Sequence, residues 1–236
     1  MPDRISELRS KIKTLADKKV AETMQWFFKT GRGDYGEGDV FIGLKVPVQR
    51  KLAREFRDLS LTEIKKLLTS TVHEERLISL FILIDKYQKM DEKGKKEIFN
   101  FYLKNRKGIN NWDLVDISAP KIIGKHLREK DKSILFKFAL SKNLWERRIA
   151  ILSTQELIKN DDFAPTLQIA EMLINDEHDL IHKAVGWMLR EIGKKDLATE
   201  EKFLKIHYKN MPRTMLRYAI EKFPETKRKK YLQGKI

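Results

Sequence analysis

The sequence predicts an all-α fold built from repeated helix pairs, and three observations predict it. Apolar residues recur at i, i+3, i+4 and i+7 almost from end to end, and no segment shows the period-two alternation of a strand. Similar units return along the chain: HEERLISLFIL at 73–83, NWDLVDISAPKI at 111–122, LWERRIAILST at 144–154, LIHKAVGWMLRE at 180–191 and MPRTMLRYAIEKF at 211–223. With Arg76, Val115, Arg148, Lys183 and Arg217 as markers, the steps are 39, 33, 35 and 34 residues. Helix pairs at that spacing stack into a curved α-solenoid of HEAT-like or TPR-like repeats.

Residues 4–29 read as one first helix with Ile5, Leu8, Ile12, Leu15, Val20, Met24 and Phe27 on its inner side. A glycine-rich loop follows at 30–45. Pro47 suits the first turn of a short helix running through Arg57, and Ser60 with Glu63 spells a capping box that opens the next helix. From about residue 73, each marker helix is followed by a second amphipathic helix, as at 98–105, 133–140 and 163–173. The expected organisation is a single domain over 1–236. Its N-terminal helices and loop occupy 1–70, and its repeats, 71–236, align equivalent helix faces along a concave groove.

Lys and Arg number 49 against 34 Asp and Glu, a formal charge of +15 in 236 residues, which favours a polyanionic partner and nucleic acid first. No run of 18 apolar residues exists, so a membrane span is not expected, and the start lacks the charged and apolar regions of a signal peptide. A cytoplasmic, nucleoid-associated monomer is the expectation. Zero cysteines exclude disulfides, thiolate zinc sites and a cysteine nucleophile, leaving carboxylates, His, Lys and hydroxyls to supply any chemistry.

Arg147, Arg148, Lys183, Arg190, Arg213 and Arg217 fall on the marker helices, and a groove that tracks a phosphate backbone is the simplest reading of their recurrence. Any one of them alone is more often the solvated side of a surface helix. Trp112 and Asp116 are four residues apart and share a helical face, where an anion and an indole together can stabilise positive charge. On spacing alone, a core Trp and a surface Asp are the commoner arrangement. Trp145 precedes Arg148, and Trp187 precedes Arg190, by the same three residues. The segment Gly31–Gly36 matches G-x-G-x-x-G but follows a helix rather than a strand, so it reads as a loop and not as a dinucleotide site. His178 and His182 have the i, i+4 spacing of helix metal ligands but no third ligand, and no metal is expected. The KRKK run at 227–230 reads as a solvated tail.

The segments FIGLKVPVQRKLAREF at 41–56, NNWDLVDISAPKIIGKHL at 110–127, NLWERRIAIL at 143–152 and KAVGWMLREIGK at 183–194 resemble the AlkD-like DNA glycosylase family, HEAT-like repeat enzymes of DNA alkylation repair. The resemblance covers nearly the whole chain. It implies hydrolysis of the N-glycosidic bond of cationic N3- or N7-alkylated purines in duplex DNA, without cofactor or metal. It makes Asp116 the catalytic carboxylate, Trp112 and Trp187 the aromatic pair around the lesion deoxyribose, and Arg148 a backbone contact beside them. Lys45 and Arg50, in the first matching segment, join Arg147, Lys183, Arg190, Arg213 and Arg217 as expected DNA contacts. A cationic purine leaves as a neutral base, so no strong general acid is needed; Asp116 stabilises the charge that passes to the sugar and orients water. The loop around 31–38 is longer and richer in glycine than in a typical member. The alternative is a non-catalytic HEAT-repeat protein binding bent or branched DNA, and a scaffold for acidic proteins ranks behind both.

Overall fold

The computed structural model describes residues 3–236, and among these every regular element is helical; the sole β contact is an isolated parallel bridge between Val40 and Val72. The chain divides into two compact units, residues 1–118 and 119–236.

The first unit holds α1 (Arg4–Thr14), α2 (Lys18–Phe27), α3 (Val46–Glu55), α4 (Leu61–Leu68), α5 (His73–Lys89), α6 (Glu92–Asn105) and most of α7 (Trp112–Ala119). The single helix expected over 4–29 is two helices. Asp17 adopts an extended conformation, accepts the Val20 N–H at 3.1 Å through its side chain, and donates its own N–H to the Ile42 carbonyl at 3.1 Å. An N-cap that is tied to a distant loop cannot also continue a helix. The break turns Leu15 and Phe27, read as inner residues, out to the surface. Pro47 does sit in the first turn of α3, and Ser60 and Glu63 make the full capping box of α4.

The core of this unit is α5, which is buried along most of its length because α3, α4 and α6 pack around it. Its sequence is only weakly amphipathic, as expected of a helix covered on several sides. Its first turn buries four consecutive polar residues, His73, Glu74, Glu75 and Arg76. Glu75 takes a bidentate pair from Arg9 at 3.0 and 2.9 Å, which fastens α1 to α5.

The second unit opens with a π-helical turn at Pro120–Gly124. The Lys125 N–H reaches the Pro120 carbonyl there, because a proline ring inside a helical run removes one donor and widens the register. The unit continues with α8 (Lys125–Leu127), α9 (Ser133–Ala139), α10 (Leu144–Ser153), α11 (Gln155–Lys159), α12 (Ala164–Met172), α13 (Asp179–Lys195), α14 (Leu197–His207), α15 (Arg213–Ala219) and α16 (Glu225–Leu232). Asn143, His178 and Asp196 each cap the helix that follows through a side-chain acceptor, so the starts of α10, α13 and α14 are fixed locally. Here α13 is central, packed by α10, α14 and α15. At Gly186 a Cβ would lie 2.3 Å from the Met215 carbonyl, so the close approach of α13 and α15 depends on the missing side chain.

Each expected marker falls on a helix, and within the units α5 packs on α6, α10 on α12 and α13 on α14. The fold is all-α, with the alternation of paired helices that an α-solenoid requires.

Candidate nucleic-acid interface

In the first unit, the start of α7 is built by polar contacts from three directions. Asn111 accepts the Trp112 N–H through Oδ1 at 2.8 Å and donates through Nδ2 to Asp39 Oδ2 at 2.9 Å. Asp113 accepts the Leu114 N–H at 2.9 Å and faces His73 Nε2 at 2.9 Å. His73 Nδ1 faces Asp39 Oδ2, also at 2.9 Å, and Arg76 donates to Asp39 Oδ1 at 2.6 Å. The glycine-rich loop thus reaches the first turn of α7 through one buried carboxylate, Asp39.

Four rings complete the support of Trp112. Its indole stacks on Phe28 at 5.1 Å with an interplanar angle of 10°, and Phe27 meets it edge-on at 6.0 Å. Phe28 stacks in turn on Phe41 at 4.7 Å, and Phe41 on His73 at 4.3 Å. Trp112 is half-buried, as is Asp116 one turn further along the same helix. The Tyr102 hydroxyl is completely buried and pairs with Ser118 at 2.9 Å. Burial pushes its titration up, the Ser118 bond opposes this, and the Asp116 charge adds to the rise. The indole is therefore held as one wall of a rigid aromatic ladder, with a carboxylate a helical turn away.

Burial also raises the Asp39 carboxyl, but the bonds from His73, Asn111 and Arg76 outweigh it and hold Asp39 below the usual range. For His73, burial disfavours the cation and Arg76 adds to this, yet Asp113 and Asp39 prevail and raise its titration. None of Asp39, His73, Asn111 and Asp113 stood out in the sequence. The signal was there in HEER, four polar residues opening a helix that is otherwise apolar.

In the second unit, Trp187 is half-buried and donates its indole N–H to Glu191 at 3.0 Å; Glu191 also pairs with Lys194 at 2.6 Å. Arg148 is buried and donates to the Leu180 carbonyl in the first turn of α13, two turns before Trp187. Arg147 pairs with the buried carboxylate of Asp176 at 2.6 Å and donates to the Ser141 and Lys142 carbonyls, both at 3.0 Å. Lys183 pairs with Asp179 at 2.6 Å, Arg190 with Glu221, and Arg213 donates to the Leu232 carbonyl at 2.6 Å. Arg217 is exposed. In the first unit Lys45 is exposed at the start of α3, and Arg50 lies over the Phe81 ring at 4.2 Å. The cations thus differ in kind. Lys183 and Arg190 pair with the exposed carboxylates of Asp179 and Glu221, whereas Arg147 pairs with a buried carboxylate and the buried Arg148 with a backbone carbonyl.

His178 and His182 have internal partners: His178 Nδ1 accepts the Leu180 N–H at 3.1 Å, and His182 Nε2 meets the Asp176 carbonyl. Among the described residues no group of three or more His, Cys, Asp or Glu side chains is arranged to hold a metal ion, and no helix is long and apolar enough to cross a membrane. The run 227–230 lies in α16, where Lys227 pairs with Glu201 and Arg228 with Glu225.

Comparison with known proteins places this geometry in a family. A solved structure from Enterococcus faecalis, described as a predicted DNA alkylation repair enzyme, superimposes with a TM-score of 0.70 over 89% of this chain and 97% of its own, at 18% identity. No curated protein matches the sequence. The family model of the DNA alkylation repair enzyme matches residues 8–223. The chain belongs to the DNA alkylation repair enzyme family, and its role lies in the repair of alkylated DNA.

Proposed function

We propose that this protein is a DNA glycosylase that hydrolyses the N-glycosidic bond of cationic N3- or N7-alkylated purines in duplex DNA. The observation that carries the reading is the half-buried Asp116 one helical turn along α7 from an indole that stacks on Phe28, which stacks in turn on Phe41. As the bond breaks, positive charge moves from the purine to the sugar. Asp116 stabilises that charge and orients the attacking water, and the Trp112 face contributes through its quadrupole, about 0.5–2 kcal/mol for such a contact. The leaving base is neutral, so the chemistry asks for neither a strong acid nor a metal.

Trp187 is proposed as the second aromatic contact to the deoxyribose, its ring orientation set by Glu191. Arg148 supports it from below by fixing the start of α13. Lys45, Arg50, Lys183, Arg190, Arg213 and Arg217 are proposed to meet phosphates, and Arg147 to hold the loop before α10. The protein is proposed to act as a monomer.

The test is release of 7-methylguanine and 3-methyladenine from methylated duplex DNA, with binding to the same duplex measured in parallel. Trp112→Ala is expected to retain binding within a few-fold and to lose most of the release rate. Strong, salt-dependent binding by the wild type with no base release would replace this reading with that of a non-catalytic DNA binder.

A further inference from the structure

We infer that His73 is a positioning residue for the Trp112–Asp116 face, clamping the first turn of α7 to the glycine-rich loop through one carboxylate on each ring nitrogen. The inference rests on the proposed function for its catalytic consequence, although the clamp itself is a property of the fold.

Both imidazole nitrogens stand 2.9 Å from a carboxylate oxygen, Nδ1 from Asp39 on the loop and Nε2 from Asp113 on α7. An ionised carboxylate only accepts, so with Asp39 and Asp113 both ionised each ring nitrogen carries a proton and the ring is an imidazolium. Arg76 pairs with the other oxygen of Asp39, so two cations and two anions form one neutral set. His73 is 1% exposed, and Asp39 is 4% exposed, so water does not replace either partner. Every element packed on the ring contributes: Asp39 and Phe41 from the loop, Phe28 from the end of α2, Arg76 from the next residues of α5, and Asp113 from α7. Asp113 lies next to Trp112 and three residues before Asp116. A shift of the first turn of α7 therefore moves indole and carboxylate together.

The loop is built to keep this link short. At Gly36 a Cβ would meet the Phe28 carbonyl at 2.6 Å and the Lys29 carbonyl at 3.0 Å, so the chain passes flush against the backbone that ends α2 before reaching Asp39. Gly36 thus allows the close passage that brings the Asp39 carboxylate to α7.

Removing the imidazolium proton leaves one ring nitrogen facing a carboxylate without a hydrogen and leaves the set with a net negative charge. Because its partners raise the titration of His73 above that of a free imidazole, about 6.5, the clamp is complete below that pH. It is lost as pH rises through the folded value.

The test uses the full chain with His73→Gln and Asp113→Ala. The second variant removes the acceptor that α7 offers to the ring and leaves the buried Asp39, His73 and Arg76 in place. Hydrogen-exchange protection of the Trp112–Asp116 amides, corrected for intrinsic rate, is measured against pH, with α10 in the other unit as the internal reference. In the wild type, protection at α7 is expected to fall relative to α10 as pH rises; in both variants it is expected to be low at every pH. Single-turnover base release is expected to drop about 10- to 100-fold in both variants, with duplex affinity changed less than 3-fold and the high-pH limb of the rate profile flattened. Unchanged α7 protection in Asp113→Ala overturns the clamp whether or not the protein releases base. Lost protection with no base release from the wild type upholds the clamp and refutes the glycosylase reading instead. If His73→Gln does not fold, Asp113→Ala alone decides.

Discussion

Replacing Glu74 with alanine strikes the point where the glycine-rich loop is anchored to the first unit. The Glu74 side chain is fully buried, and its Oε1 accepts the N–H groups of Ile42, Gly43 and Leu44 at 3.1, 2.8 and 3.2 Å, while Oε2 takes a second bond from Ile42 at 3.2 Å. Three backbone donors lose their acceptor in the alanine variant. Each unsatisfied buried amide costs about 1–3 kcal/mol, and after partial relaxation and water entry the sum is about 4 kcal/mol. That is a large share of the roughly 5–15 kcal/mol that holds a domain folded. Glu74→Gln makes a sharper comparison: an amide oxygen placed at the Oε1 position still accepts from Ile42, Gly43 and Leu44, so the charge and the second Ile42 bond at Oε2 are lost, at about 1–2 kcal/mol. The assay is urea unfolding of both variants followed by near-UV circular dichroism. If alanine costs less than about 1 kcal/mol, or glutamine costs as much as alanine, the loop is not held by this carboxylate.

Gly186→Ala places a Cβ 2.3 Å from the Met215 carbonyl, a backbone atom, and is expected to destabilise the second unit by about 1–3 kcal/mol in the same assay. Glu200 is 1% exposed, and burial together with the neighbouring Glu201 pushes its carboxyl up to about 8. The folded state binds this proton more tightly than the unfolded chain does, so the contribution is complete below the ordinary glutamate value and is lost as pH rises through about 8. Glu200→Gln should therefore flatten the pH dependence of stability across that window and leave the variant more stable than the wild type at its alkaline end; an unchanged profile would count against it. Arg217→Ala should reduce the slope of log affinity for duplex DNA against log salt by about 1, whereas Arg147→Ala, which strips the buried Asp176 of its partner, should lower stability instead.

The helical pattern was legible because it follows from periodicity: the markers at Arg76, Val115, Arg148, Lys183 and Arg217 all fall on helices, and those of Arg76, Arg148 and Lys183 pack on a second. Caps written as local spacing, such as Ser60 with Glu63, were equally readable. The break at Asp17 was missed because the apolar rhythm carries across it, and what ends the helix is a bond to Ile42, distant in sequence. Charge was legible as a total but not as a distribution. Lys183, Arg190 and Arg147 look alike in the sequence, yet Arg147 is spent on a buried carboxylate and the other two on partly exposed pairs. The polar cluster under α7 stayed hidden for a related reason. Asp39, His73 and Asp113 lie more than thirty residues apart, and only the folded chain brings them together.

The proposed glycosylase activity depends on one anion beside a fixed indole, and the single-turnover rate of 7-methylguanine release from methylated duplex DNA measures it directly. The wild type is expected to release the base, and Asp116→Asn, matched to the wild type in duplex affinity and in α-helical content, is expected to be about 100- to 1,000-fold slower. Equal rates in the two proteins, or no release by the wild type at saturating protein, would contradict the assignment of Asp116 and with it the proposed reaction.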